Sequence, residues 1–290
     1  MTNRDTVPFQ IPRARFTLDV GYASDVGTLR KRNEDSFAVY QPPSGEENDA
    51  VLQGLLLVAD GMGGERGGDR ASQMAAEGLH QCFASGLFQT WPEHSGPNWR
   101  SAVLQRAIRE VNDEIYRLGE NDPLLEGLGT TVVIVLVTFD EVTIAHVGDS
   151  RCYRIRGARV EQMTTDHTWV EGQVAAGILS REEAREHPNR NILIRSLGDA
   201  IAPGGDVRVE ALQDGDLFLL CSDGLTGSVT EAEILQWVHR EPDPQALAEA
   251  LVQLANTKDG SDNITVVIGR CREITLAEHL PTPSPSENRF

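Results

Sequence analysis

Four acidic positions carry the chemistry this sequence could do. Glu34-Asp35 precedes one apolar run, and Asp60-Gly61 closes the run Leu55-Leu56-Leu57-Val58-Ala59. Asp223-Gly224 closes Leu219-Leu220-Cys221-Ser222, and Asp262-Asn263 precedes another run that opens at Ile264. Each is an aspartate at an expected strand terminus, beside a glycine, an asparagine or a second acid. Strand ends of a sheet converge on a common edge, so carboxylates distant in sequence can meet there. Buried like charges repel unless a cation neutralises them, which is the physical reason to infer a metal. Oxygen donors with no His or Cys cluster nearby select hard ions, Mg2+ or Mn2+, over zinc. Any one of these aspartates alone is an ordinary turn or cap residue. Their recurrence, with Gly61, Gly63 and Gly64 leaving backbone bare enough for close approach, favours the metal.

Thiol chemistry is poorly supported. Cys82, Cys152, Cys221 and Cys271 form no C-x-x-C pair, and none has an arginine six positions on. Cys221 and Cys271, in or beside strand-like runs, read as small buried hydrophobes, and a reducing cytoplasm fits the set. The 290 residues suit one large domain or two small ones. With 26 basic against 44 acidic residues the net charge is -18, which argues against a nucleic-acid partner. The N-terminus lacks the apolar core of a secretory signal, and no apolar stretch approaches the roughly 20 residues of a membrane span. The expectation is a soluble, cytoplasmic protein.

The elements that must position the acids follow from periodicity. Alternation predicts a strand over 16–22, a second over 36–40, and an apolar run ending at Asp60. Helical spacing begins at Gly68 with Ala71, Met74, Ala75, Leu79 and Cys82 on one face, and resumes over 102–118. The β-branched run 132–137 suits a strand buried on both faces, with a neighbour over 142–147. A hairpin is expected over 152–155 and 159–163, then a polar excursion over 164–198 with short helices over 168–176 and 181–186. Strands over 206–212 and 216–221 follow. A helix over 230–238 has Thr230 as N-cap and Glu233 completing a capping box, and another spans 244–254. The strand 264–268 closes the ordered core. Surface loops are expected over 42–49 and 86–97. About ten strands do not alternate one-for-one with two helix pairs, so the expected fold is α+β. It is a layered α-β-β-α sandwich, two antiparallel sheets flanked by helices.

In order along the chain stand Arg30…Arg32-Asn33-Glu34-Asp35, Val58-Ala59-Asp60-Gly61-Met62-Gly63-Gly64 and Gly129-Thr130-Thr131. After them come His146-Val147-Gly148-Asp149-Ser150-Arg151, Thr165-Asp166-His167, Cys221-Ser222-Asp223-Gly224-Leu225 and Asp262-Asn263-Ile264-Thr265. On these blocks, covering about 16–270, the chain resembles the metal-dependent protein serine/threonine phosphatases, the PPM or type 2C family, in their compact bacterial form. The resemblance implies two stacked antiparallel sheets flanked by helices and two Mg2+ or Mn2+ ions held by Asp35, Asp60, Asp223 and Asp262. The Gly61 carbonyl would be a further ligand, with Glu34 acting through water. It implies that Arg30 grips the substrate phosphate, for which an arginine fork is chemically suited. A solvated basic face shared with Lys31 and Arg32 is the other reading of Arg30. The implied reaction is hydrolysis of phosphoserine and phosphothreonine on proteins by a metal-bridging water, opposing a serine/threonine kinase, in a monomer.

The sequence departs from the family pattern in two places. Met62 stands where some members have a histidine proposed to protonate the leaving alcohol. Leu124 stands where bacterial relatives place a third-metal aspartate, with Asp122 two residues away; Asp149 and Asp223 remain candidates for such an ion. His146 and His167 read as structural. The segment 166–198 corresponds to a flap beside the site. The expected organisation is an extended lead-in over 1–15, a single catalytic domain over 16–272 and a Pro/Ser-rich tail over 273–290. Two other functions compete: a non-catalytic phosphoprotein-binding or sensor module on the same fold, and a phosphohydrolase acting on nucleotides or nucleic acid.

Overall fold

The computed structural model describes residues 15–41, 54–85, 99–199 and 204–274. The expected loops over 42–49 and 86–97, and nearly all of the lead-in and tail, lie outside the described residues. The first sheet holds β1 (Arg15–Asp25), β7 (Arg151–Arg156), β8 (Arg159–Gln162), β10 (Leu217–Cys221) and β11 (Ile264–Ile274), in the order β1-β11-β10-β7-β8. The second holds β2 (Asp35–Tyr40), β3 (Gly54–Met62), β5 (Val132–Thr138), β6 (Glu141–Val147) and β9 (Asp206–Ala211), in that order. The two-residue β4 (Gly129–Thr130) pairs with the end of β3. Every pairing is antiparallel.

Both sheets are buried on both faces, which explains why their central strands read as unbroken apolar runs. Leu55 and Leu57 of β3 face α1 (Gly64–Ala84) and α2 (Trp99–Asn121), where Leu79, Leu104 and Ile108 complete one core. Leu56 and Val58, one residue out of phase, meet Phe218, Leu220 and Val267 between the sheets. Leu219, Val266 and Ile268 point the other way, onto Ile234 of α6 (Glu231–Arg240) and Leu251 of α7 (Pro244–Lys258). Burying each such side chain contributes roughly 1.5–3 kcal/mol. The expected α-β-β-α layering is what forms.

Several boundaries move, each for a reason that is not local. β3 runs two residues past Asp60, because Gly61 and Met62 pair with Thr130 and Gly129. β11 continues to Ile274 and β1 to Asp25 because the two strands pair along their whole length. α1 starts at Gly64 rather than Gly68, behind Gly63 at φ 132, where glycines obscured the helical pattern. The Thr230–Glu233 capping box forms as expected. The 164–198 excursion carries α3 (Trp169–Ala175) and α4 (Arg181–Glu186), and is tied down by bridges between Thr130 and Leu197 and between Thr168 and Leu193. No described helix is long and apolar enough to cross a membrane.

Candidate metal centre

The antiparallel register of β2 and β3 sets Asp35 directly opposite Asp60. From the other sheet, Asp223 opens α5 (Asp223–Thr226) immediately after β10, and Asp262 stands two residues before β11. Stacking the sheets brings these ends together. Ser222 stitches them: its hydroxyl donates to Asp35 Oδ2 at 2.7 Å across the sandwich and accepts from the Thr265 N–H at 3.0 Å. Thr131 and Thr130 fix the Asp60 backbone, through a 3.0 Å acceptor to its N–H and a 2.9 Å donation to its carbonyl.

The electrostatics are those of crowded acids. Asp35 is buried, while Asp60, Asp149, Asp223 and Asp262 are half-buried and keep a face open to solvent. Burial, then Asp223 and Asp262, push Asp35 up to about 7 against the hydrogen bonds of Ser222 and Thr265. Burial and the charges of Asp35, Asp223, Asp149 and Asp262 hold Asp60 well above the carboxylate range. Asp149 rises to about 7 through burial and then Asp223 and Asp166, with Arg151 opposing. Asp223 is raised by burial and Asp262, and Glu34 by burial, with Arg30 pulling Glu34 back. Asp35 Oδ1 is buried and meets no donor. A buried carboxylate oxygen with no donor among the described residues, inside a group of acids that raise one another, suits a hard cation.

Arg30 is half-exposed and donates to Asp262 Oδ2 at 2.7 Å, so it leans into the acidic group rather than lying on a purely solvated face. Arg32 turns instead toward Asp69, 3.8 Å away. The glycine reading needs correction at Gly61. A Cβ there would lie 2.0 Å from the Gly68 carbonyl oxygen and 2.6 Å from that of Glu34, so the close approach is made by α1 and the 26–34 segment. Asp122 is spent as the N-cap of a 3-10 turn, accepting from Leu124 N at 3.0 Å, and the Leu124 side chain is exposed. Asp149, by contrast, interacts electrostatically with both Asp60 and Asp223.

A second polar cluster has no local signature in the sequence. His146 and His167 stack with ring centroids 4.5 Å apart, and both are buried. Gly148 N–H donates to His167 Nδ1 at 3.0 Å, and Thr165 O lies 2.7 Å from His146 Nε2. Among the described residues these two histidines and Asp206 are the one trio whose ligand atoms fall within 4.8 Å of each other. Arg195 already stands there, 2.9 Å from His167 Nε2 and 2.8 Å from Asp206 Oδ1, and supplies the positive charge. The carboxylates of Asp35, Asp60, Asp223 and Asp262 do not come as close together as these three ligand atoms do. Both histidines are held in place by hydrogen bonds within the protein.

Burial, then His146 and Arg195, hold His167 down at about 4. The native state therefore keeps it neutral between about 4 and the ordinary histidine value near 6.5, while the unfolded chain takes up a proton, so stability falls as pH drops through that window. His167→Asn retains an acceptor for Gly148 N–H and removes the titration. Chemical denaturation at pH 7 and pH 5 should show the wild type losing about 1–3 kcal/mol relative to this variant. Taking the difference between the two proteins cancels the carboxylates.

Asp35 and Asp60, opposite each other on β2 and β3, and Asp223 and Asp262, beside the strand ends of the other sheet, form one group of interacting acids with Arg30 on Asp262, a group of the kind that suits divalent cations. Comparison with known proteins agrees. Residues 31–261 match the family described as protein phosphatase 2C. The serine/threonine phosphatase stp of Listeria innocua is 38% identical over 247 residues, 85% of this chain and 93% of that protein. The crystal structure of serine/threonine phosphatase Stp1 from Staphylococcus aureus superposes with a TM-score of 0.79 at 31% identity, covering 90% of this chain and 98% of that one. A PstP catalytic domain in complex with two manganese ions superposes at 0.73 with 32% identity, covering 89% and 99%. The chain belongs to the protein phosphatase 2C family.

Proposed function

We propose that Asp35, Asp60, Asp223 and Asp262, with the Gly61 carbonyl, hold two divalent cations, Mn2+ or Mg2+. On this reading the chain uses them to hydrolyse phosphoserine and phosphothreonine on proteins, opposing a serine/threonine kinase. The observation that carries the reading is the orphaned Asp35 Oδ1 amid mutually raised acids. When bound, the ions supply a nucleophilic water at neutral pH and neutralise charge on the phosphoryl group. The chain's own residues do the rest. Ser222 keeps one Asp35 oxygen occupied and leaves the other without a donor, free to take a cation. Glu34 sits beside the Asp60 strand end, its carbonyl accepting from Gly61 N–H at 3.1 Å, and acts through water. Arg30 offers a planar fork to phosphate oxygens. Met62 carries no transferable proton, so protonation of the leaving alcohol falls to another group. Asp149 is the side chain to which a third ion would bind.

The flap over 166–198 presents the protein substrate, and the chain works as a single catalytic domain and a monomer in the cytoplasm. Three of its four thiols are buried and all four are free, which suits a reducing compartment. A non-catalytic binding module would be marked by loss of a metal aspartate, and all four are present. The net charge of -18 disfavours a polyanionic substrate. The test is turnover by chelated protein given back Mn2+ or Mg2+, on a phosphothreonine peptide, a nucleotide and single-stranded DNA. Hydrolysis of the peptide that EDTA abolishes is the expected result. Peptide binding without turnover identifies the silent module, and faster turnover of the nucleotide or DNA identifies the other phosphohydrolase.

A further inference from the structure

Asn263 lies beside the acids but spends its side chain elsewhere. It is 5% exposed, and its three side-chain hydrogen bonds all go to one segment. Its Oδ1 accepts from Glu34 N–H at 2.8 Å, and its Nδ2 donates to the carbonyls of Val26 and Arg32, both at 2.9 Å. Those three contacts bracket Arg30. The Asn263 main-chain N–H meanwhile donates to Asp262 Oδ1 at 2.8 Å, the carboxylate whose other oxygen receives Arg30 at 2.7 Å. Strand β11 would form with any residue at position 263 that left its backbone in place, because none of the side-chain bonds goes to the strand. The neighbouring contacts act in the same direction. Thr28 N–H and Oγ1 both donate to the Gly260 carbonyl, and a Cβ on Gly27 would sit 2.2 Å from the Asp262 carbonyl oxygen.

We infer that Asn263 is the positioning residue that locks the 26–34 segment, and with it the Arg30 guanidinium, in register with the metal ligand Asp262. The inference rests on the phosphatase reading above, and it separates two things that a merely structural residue would couple. Asp262 is held by a backbone N–H that survives substitution, whereas the phosphate-binding segment is held by the side chain.

The test uses wild type, Asn263→Ala, Arg30→Ala and the double variant, all saturated with Mn2+. The readouts are kcat and KM on a phosphothreonine peptide, the inhibition constant of inorganic phosphate, and Mn2+ affinity by calorimetry. In Asn263→Ala, KM and the phosphate inhibition constant should each rise roughly tenfold, the size expected when a group orienting a functional side chain is lost. Mn2+ affinity should move by less than about threefold, because no ligand and no donor to a ligand is removed. In the Arg30→Ala background, the further loss should shrink below about twofold, since coupled residues are non-additive. Unchanged phosphate affinity, fully additive losses, or metal and phosphate affinities falling together would overturn the assignment. Asn263→Asp keeps the volume and the acceptor facing Glu34 while losing both donations, and takes its place in the same cycle if the alanine variant does not fold. Hydrogen exchange reads the segment without any activity: amides 27–34 should lose protection while those of β3 keep theirs, and equal protection over 27–34 overturns the proposal. Wild type that fails to hydrolyse the peptide under Mn2+ sinks the phosphatase reading instead, and exchange and metal affinity still decide the role of Asn263.

Discussion

Asp60→Asn should stabilise the metal-free protein while removing its activity. Asp60 is crowded by Asp35 across the β2–β3 pair and by Asp223, Asp149 and Asp262, and it takes up a proton well above the usual range. At neutral pH the unfolded chain carries that group ionised. The native metal-free state must either protonate it or tolerate repulsion, and both cost stability. The linkage has a definite sign. A carboxyl whose native value is raised binds more protons folded than unfolded, so the metal-free protein loses stability as pH rises above the ordinary aspartate value. An isosteric amide escapes this and can still donate to Asp223, the group Asp60 itself hydrogen-bonds. In EDTA at pH 7.5 the variant should melt at least about 2 °C higher, given roughly 2–4 °C per kcal/mol at this chain size. With saturating Mn2+ the order should reverse, because an ion held at 100 times its dissociation constant adds about 2.7 kcal/mol to the wild type alone. Turnover should fall at least about a thousand-fold, some 4 kcal/mol of transition-state stabilisation. A variant less stable than wild type in EDTA, or one with near-normal turnover, would remove Asp60 from the proposed ligand set.

That opposition between stability and function is why the aspartates were legible before any coordinates. An acid at the end of an apolar run, repeated four times, makes little sense for folding and good sense for binding a cation. The layers were legible for a related reason: the unbroken apolar runs of β3, β5 and β10 need cover on both faces, and only two helix pairs were available to give it. What sequence could not show is set by partners distant in the chain. The extension of β3 to Met62 depends on Gly129 and Thr130, and the cluster of His146, His167, Arg195 and Asp206 draws on separate segments. Ser222 and Asn263 stood inside recognised blocks, yet their roles appear only once Asp35 and the 26–34 segment are seen against them. Gly61 was visible as a glycine, but the backbone it admits belongs to α1 and to Glu34.

The largest loss of stability should come from Arg151→Ala. Arg151 opens β7 and forks onto Asp166, with Nε at 3.0 and 3.1 Å from the two carboxylate oxygens and Nη2 at 2.7 Å from Oδ2. Its remaining nitrogen donates to Tyr153 OH at 3.0 Å. The Asp166 side chain is only 12% exposed, with Gln162 as its other side-chain donor at 3.1 Å. Removing one partner of such a pair leaves an uncompensated charge, which costs about 3–5 kcal/mol when burial is complete. Arg151 is 29% exposed, so the lower end applies, about 3 kcal/mol and roughly 6–12 °C in melting temperature. Arg151→Lys should recover less than half of this, because an ammonium cannot reproduce the planar two-point contact. Arg151→Ala combined with Asp166→Asn should recover more than Arg151→Lys does, since the stranded charge is gone. The defect should also reach the metal centre. Arg151 is among the positive charges that hold Asp149 and Asp223 down, so without it both acids rise further and bind cations less well. Calorimetry at pH 6.5 should show weaker Mn2+ binding in Arg151→Ala, with the gap from wild type narrowing by pH 8 as the acids ionise, and a smaller loss in the double variant, which also removes the Asp166 charge that raises Asp149. Unaltered melting in Arg151→Ala would show that the pair contributes only as a surface ion pair does. Unaltered Mn2+ affinity at pH 6.5 would show that the charge of Arg151 does not reach the aspartates.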